Sequence, residues 1–222
     1  MMANKNADTL FANQASGLSV DTRRLVCVHE AGHAVIFALG GYKVWRVAVA
    51  PVGATDWEIE SRKGLLLSDL WGVCEKYEDH PARRFLKANG LFDRQEFRDC
   101  LAPFPEAYRR KTWRKVRAHL CAAVAGELAE HLYLGTPPTF DFDGEGDGQL
   151  AAADDCLLNR RNTFEQLIDL TIRKLQSPDA WKRVIKLADA LELSGCVEEG
   201  IEAFLPAPET SWPTRGFKEV AG

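Results

Sequence analysis

Residues 21–41 read DTRRLVCVHEAGHAVIFALGG, and this stretch decides the rest. Leu25, Val28, Val35, Ile36 and Leu39 recur at helical spacing, Asp21 stands where a helix cap belongs, and Gly40-Gly41 supplies a stop. Inside the helix so defined lies His29-Glu30-Ala31-Gly32-His33. Four residues span just over one turn, so both imidazoles leave the same face, one above the other. That spacing suits two ring nitrogens meeting one zinc ion, and the intervening acid suits a general base. Gly32 at a mid-helix position costs about 1 kcal/mol relative to alanine, which predicts that a neighbour packs closely there.

Working outward, KVWRVAVAPVGA (43–54) reads as a strand ending at Pro51 and Gly53, with Trp57 to Leu67 as its hairpin partner. Residues 68–105 mix short helical patterns at 70–80, 82–90 and 94–101 with the breakers Pro81, Gly90, Pro103 and Pro105. A long helix is expected from Glu106 to Leu134, with Trp113, Val116, Leu120, Val124, Leu128 and Leu132 on its buried face and Gly135 ending it. PPTFDFDGEGDG (137–148) reads as an acidic loop, and two more helices are expected at about 149–175 and 179–203. The organisation expected is a flexible tail at 1–20, one domain at 21–205 and a Pro-rich tail at 206–222. The fold class is α+β, mostly helical with a small early sheet.

Composition narrows the functional classes. A chain of 222 residues with 46% hydrophobic and 27% charged residues can bury a core without staples, so disulfide-scaffold and disordered classes are excluded for most of its length. The net charge of −4 offers no global attraction to nucleic acid or an anionic membrane. Six scattered cysteines without a C-x-x-C pair point to reduced thiols and a cytoplasmic setting. No run has signal-peptide character or approaches a membrane span, so no direct membrane insertion is expected. RRKTWRKVR (109–117) carries six basic residues, read as the solvated side of an amphipathic helix rather than a nucleic-acid face. His80 is expected to be exposed, and His131 receives no role.

HEAGHA (29–34) resembles the zinc motif of the FtsH-type peptidase family. KVWRVAVAPVG resembles the strand after that family's zinc helix, and AGELAEHLYLG (125–135) its second signature helix. GDGQLAAADD (146–155) resembles the segment that brings the third zinc ligand, which would make that ligand Asp147, with Ala151 four residues on. Residues 181–204 resemble the terminal helices, so the resemblance spans about 20–205 in separate blocks. It implies an ATP-dependent zinc endopeptidase domain, without the membrane anchor and AAA+ motor that accompany it in the family. No G-x-x-x-x-G-K-[ST] occurs, so no P-loop is expected. Three departures bear on substrate handling: Glu127 in place of the family's Arg, a long stretch between strand and second helix, and the acid- and glycine-rich loop before Asp147.

Two histidines do not complete a zinc site. Asp147 suits the third position because Gly146 and Gly148 free the backbone to aim it. Glu127 and Glu130 are competitors; His119, Glu127 and Glu130 share one helix face, and the resemblance implies that Glu130 instead hydrogen-bonds a ligand histidine. A calcium loop of EF-hand type through Asp143, Glu145, Asp147, Gly148, Leu150 and Asp154 is a rival reading. The expected activity is a Zn²⁺ metalloendopeptidase with His29, His33 and Asp147 as ligands and Glu30 as general base. Its substrates would be peptides, unfolded chains or exposed loops, with any unfoldase acting in trans. The alternatives are a metal-binding regulatory protein without turnover, and a peptidase devoted to one regulator.

Overall fold

The structure, a computed structural model, describes residues 18–82, 94–140, 146–158 and 163–213. The calls on the N-terminal tail, on 82–90 and on Asp143 and Glu145 lie wholly or almost wholly outside these residues. Helix α1 runs Val20–Leu39, and its cap is Ser19, whose side chain accepts from the Thr22 N–H; Asp21 sits within the first turn instead. A hydroxyl one residue before the helix meets an orphan N–H that Asp21, already helical, cannot reach. From Ala31 to Leu39 every residue is buried. The helix is therefore enclosed on all sides, beyond the single apolar face that periodicity suggests. It ends as expected at Gly40, and Gly41 follows at a φ of 80°.

After α1 come strands β1 (Val44–Val49), β2 (Ile59–Glu60), β3 (Leu66–Leu67) and β4 (Gly72–Lys76), of which β1 and β4 pack against it. Helices α2 (Arg94–Leu101), α3 (Glu106–Ala123), α4 (Ala125–Leu134), α5 (Gly146–Leu158), α6 (Thr163–Leu175) and α7 (Pro178–Ser194) follow, then β5 (Cys196–Val197). The protein is mostly helical with a small antiparallel sheet of order β4-β1-β5. α1 touches α7 and α4 most extensively, and also β1, α3 and β4.

Several local expectations are corrected. The partner of β1 is β4, with Val47 opposite Cys74, and not the 57–67 stretch. That stretch folds on itself as β2 and β3, because Gly64, at a φ of 74°, lets its N–H return to the Ser61 carbonyl. The 70–80 segment, helical by pattern, is accordingly a strand: pairing with β1 overrides its weak local preference. β1 is internal to the sheet, so it offers no edge to a substrate. The long helix breaks at Val124 into α3 and α4. There the Nδ1 of His33 donates to the Ala122 carbonyl at 2.6 Å, and a side chain entering the ladder is a recognised cause of such a break. The expected 149–175 helix is likewise two helices, and the last ends at Ser194, releasing β5 to join the sheet.

Residues 206–213 lie against the body: Trp212 is buried and the Glu209 N–H bonds the Leu39 carbonyl. The basic run of α3 is not simply solvated. Arg114 donates to the carbonyls of Gly40, Glu209 and Trp212, Lys115 pairs with Glu78, and Arg117 is buried. All six cysteines are free. Burial pushes the thiols of Cys27 up to about 11 and Cys121 up to about 12, so both act as small apolar groups. Among the described residues no helix is long and apolar enough to cross a membrane.

Candidate metal centre

Helix α1 presents His29 and His33 with ring centroids 4.6 Å apart, edge to face. Asp147, in the first turn of α5, reaches between them: its Oδ2 lies 3.0 Å from His29 Nε2 and 2.9 Å from His33 Nε2. Behind each ring stands an acceptor. His29 Nδ1 is 2.6 Å from Glu130 Oε1 on α4, and His33 Nδ1 is 2.6 Å from the Ala122 carbonyl on α3. An N–H must face each acceptor, so in neutral rings the proton sits on Nδ1 and the Nε2 lone pair points at Asp147. Two nitrogen lone pairs and a carboxylate oxygen therefore converge with no donor among them.

Such a cluster requires positive charge. In the metal-free chain protons provide it. Burial opposes charging His29, but Asp147 and Glu130 outweigh it and hold the ring well above the ordinary histidine value; Asp147 also raises His33 against its burial. For Asp147, burial is outweighed by His33 and His29, which hold its carboxyl far below the usual range. A divalent cation meets the same demand with one charge centre, and two imidazoles with a carboxylate are a zinc donor set. The backbone leaves room beside it: a Cβ added at Gly126 would lie 2.4 Å from His29 Nε2 and 2.5 Å from His33 Nε2. The residues present fit a zinc ion.

Glu30 is 7% exposed and lies on the β4 side of the cluster. A Cβ at Gly72 would come within 2.6 Å of its Cγ and Oε1, so the strand backbone seats the carboxyl directly. Burial pushes this carboxyl up, toward the range in which a general base works. Gly32 meets its expected close neighbour: a Cβ there would lie 2.7 Å from the Ala125 carbonyl oxygen and 2.8 Å from the Ala129 Cβ.

The structure thus brings His29, His33, Asp147, Glu30 and Glu130 together. Glu127 is not with them; it lies 3.9 Å from His131, whose Nδ1 is 2.8 Å from the Thr136 hydroxyl. His119 is also elsewhere, with Nδ1 2.7 Å from Asp154 Oδ2. Nor is His80 a free surface group, since its Nε2 is 2.6 Å from Asp154 Oδ1. With Asp147 and Asp154 both turned toward histidines, the described part of the calcium reading does not hold. Gly126 and Gly72 escaped the sequence reading. Gly126 had a signal, because a glycine inside a helical pattern raises the same question as Gly32.

No family model matches this chain, and no curated protein is detectably similar to it.

Proposed function

We propose that this protein is a zinc-dependent metalloendopeptidase of the kind its HEAGH segment resembles, an FtsH-type peptidase domain. The observation that carries the proposal is the convergence of two Nε2 lone pairs and Asp147 Oδ2 within 3.0 Å, each imidazole held in the ligand tautomer by an acceptor behind it. When bound, zinc would acidify a water and polarise a scissile carbonyl. His29, His33 and Asp147 would hold the ion, and Glu130 and the Ala122 carbonyl fix the ring orientations. Glu30 takes a proton from the attacking water and returns it to the leaving amine. Its seat against Gly72 fixes where that proton is held.

β4 supports a substrate path. It flanks β1 at one end of the three-stranded sheet and carries Gly72 against Glu30, so an extended peptide pairing with its outer backbone would run past the site. Main-chain pairing tolerates sequence, which suits peptides, unfolded chains and exposed loops. A site that merely binds metal has no use for a buried carboxylate in this position, and that favours turnover over a purely regulatory role.

Peptide cleavage by wild-type protein and Glu30→Gln, with zinc content measured on both, tests the proposal. The variant should keep its zinc and lose about 100-fold or more in rate. Equal rates in the two proteins would refute the mechanism.

A further inference from the structure

A second set of two histidines and one aspartate lies outside this centre. His80 follows β4, His119 sits on α3 and Asp154 on α5, and Asp154 is only 2% exposed. Their ligand atoms lie within 4.8 Å of one another. The rings of His80 and His119 stand edge to face at 4.6 Å, the same separation as His29 and His33. Asp154 uses one oxygen for each ring, 2.6 Å to His80 Nε2 and 2.7 Å to His119 Nδ1. The two aspartates are seven residues apart on α5, hence two turns along one face.

In the metal-free chain a hydrogen bond joins only part of this cluster. His119 Nδ1 hydrogen-bonds Asp154, while His80 Nδ1 accepts from the Ala82 N–H at 3.1 Å, which leaves the His80 proton on Nε2. That Nε2 is buried, and despite its short distance to Asp154 it makes no hydrogen bond of good direction. An ion between the three donors would replace this poorly directed contact with a coordinate bond. Each neutral ring moves its proton to the far nitrogen, so no net proton is released, and the long Ala82 contact is given up for a coordinate bond. His80, His119 and Asp154 all line a cavity of about 480 Å³, bordered also by Leu150, Leu157 and Lys76, where a water can complete the coordination.

We propose that His80, His119 and Asp154 form a second site for a divalent transition-metal ion, zinc by donor type. The ion ties α5, the helix that delivers Asp147, to α3 and to the segment after β4. The site does not depend on the peptidase reading.

Metal-stripped wild type, His80→Gln, Asp147→Ala and the double variant are titrated with zinc, and bound metal is counted. Wild type should bind two equivalents, each single variant one, and the double variant none. Two equivalents in wild type and in His80→Gln alike would overturn the proposal. So would one equivalent that His80→Gln leaves in place, because the cluster is then a hydrogen-bonded triad only. One equivalent lost in His80→Gln but kept in Asp147→Ala would support this site and overturn the first. As a check that needs no change at His80, zinc should raise the Tm of Asp147→Ala; an unchanged Tm refutes the site.

Discussion

Gly126 carries no reactive group, yet its missing side chain makes the ring nitrogens accessible. Alanine there would put a methyl within 2.5 Å of both Nε2 atoms, and helical backbone on α4 cannot retreat cheaply. Gly126→Ala should lower zinc affinity at least about 10-fold while its helical circular dichroism stays native; unchanged zinc binding would show that the ion lies elsewhere. Glu130→Gln is milder. It keeps the shape beside His29 Nδ1 but removes the charge that now stands 2.6 Å away. A loss of about 10–100-fold in metal affinity is expected by competitive zinc titration.

At the scale of elements, α1 is fastened at its N-terminal half by Arg23. The buried guanidinium donates to the carbonyls of Ala50, Leu191 and Glu192, at 2.9, 3.2 and 2.8 Å. Two of these belong to the last turn of α7, where the Leu191 carbonyl also accepts from the Gly195 N–H. Arg23→Met keeps the bulk and removes the three donated hydrogen bonds. It should cost about 2–3 kcal/mol in urea unfolding, with zinc binding retained, since the rings lie further along α1. The helices themselves were readable where apolar period and breakers agree, as in 20–39 and 94–101 and at the start of 178–194. They were misread where a tertiary partner intervenes. His33 breaks the 106–134 helix at Val124, and β1 recruits 72–76 from an apparent helix. In both cases the deciding group lies dozens of residues away, beyond any local window.

For the molecule as a whole, binding of the proposed metal would be linked to folding, because Asp147, His29 and the α3–α4 junction come from separate parts of the chain and meet only when it is folded. At free zinc about 1,000 times its Kd, one bound ion adds roughly 4 kcal/mol. For a chain of this length that is on the order of 10 °C in Tm. Chelation should lower Tm by about that much and stop peptide cleavage, and zinc should restore both; a Tm indifferent to chelator would count against every metal site described above.

The sequence by itself determined the helix of 20–39, the shared face of His29 and His33, the acid between them and the need for a close neighbour at Gly32, because each follows from a fixed turn of 3.6 residues. The resemblance of GDGQLAAADD and AGELAEHLYLG to known segments pointed to Asp147 and to Glu130. Only the tertiary structure decided that these carboxylates, and not Glu127, reach the imidazoles, that β4 seats Glu30, and that His80, His119 and Asp154 gather at all. Those are meetings between residues far apart in the chain, and they are fixed by which faces can be buried together, a property of the packed whole rather than of any segment.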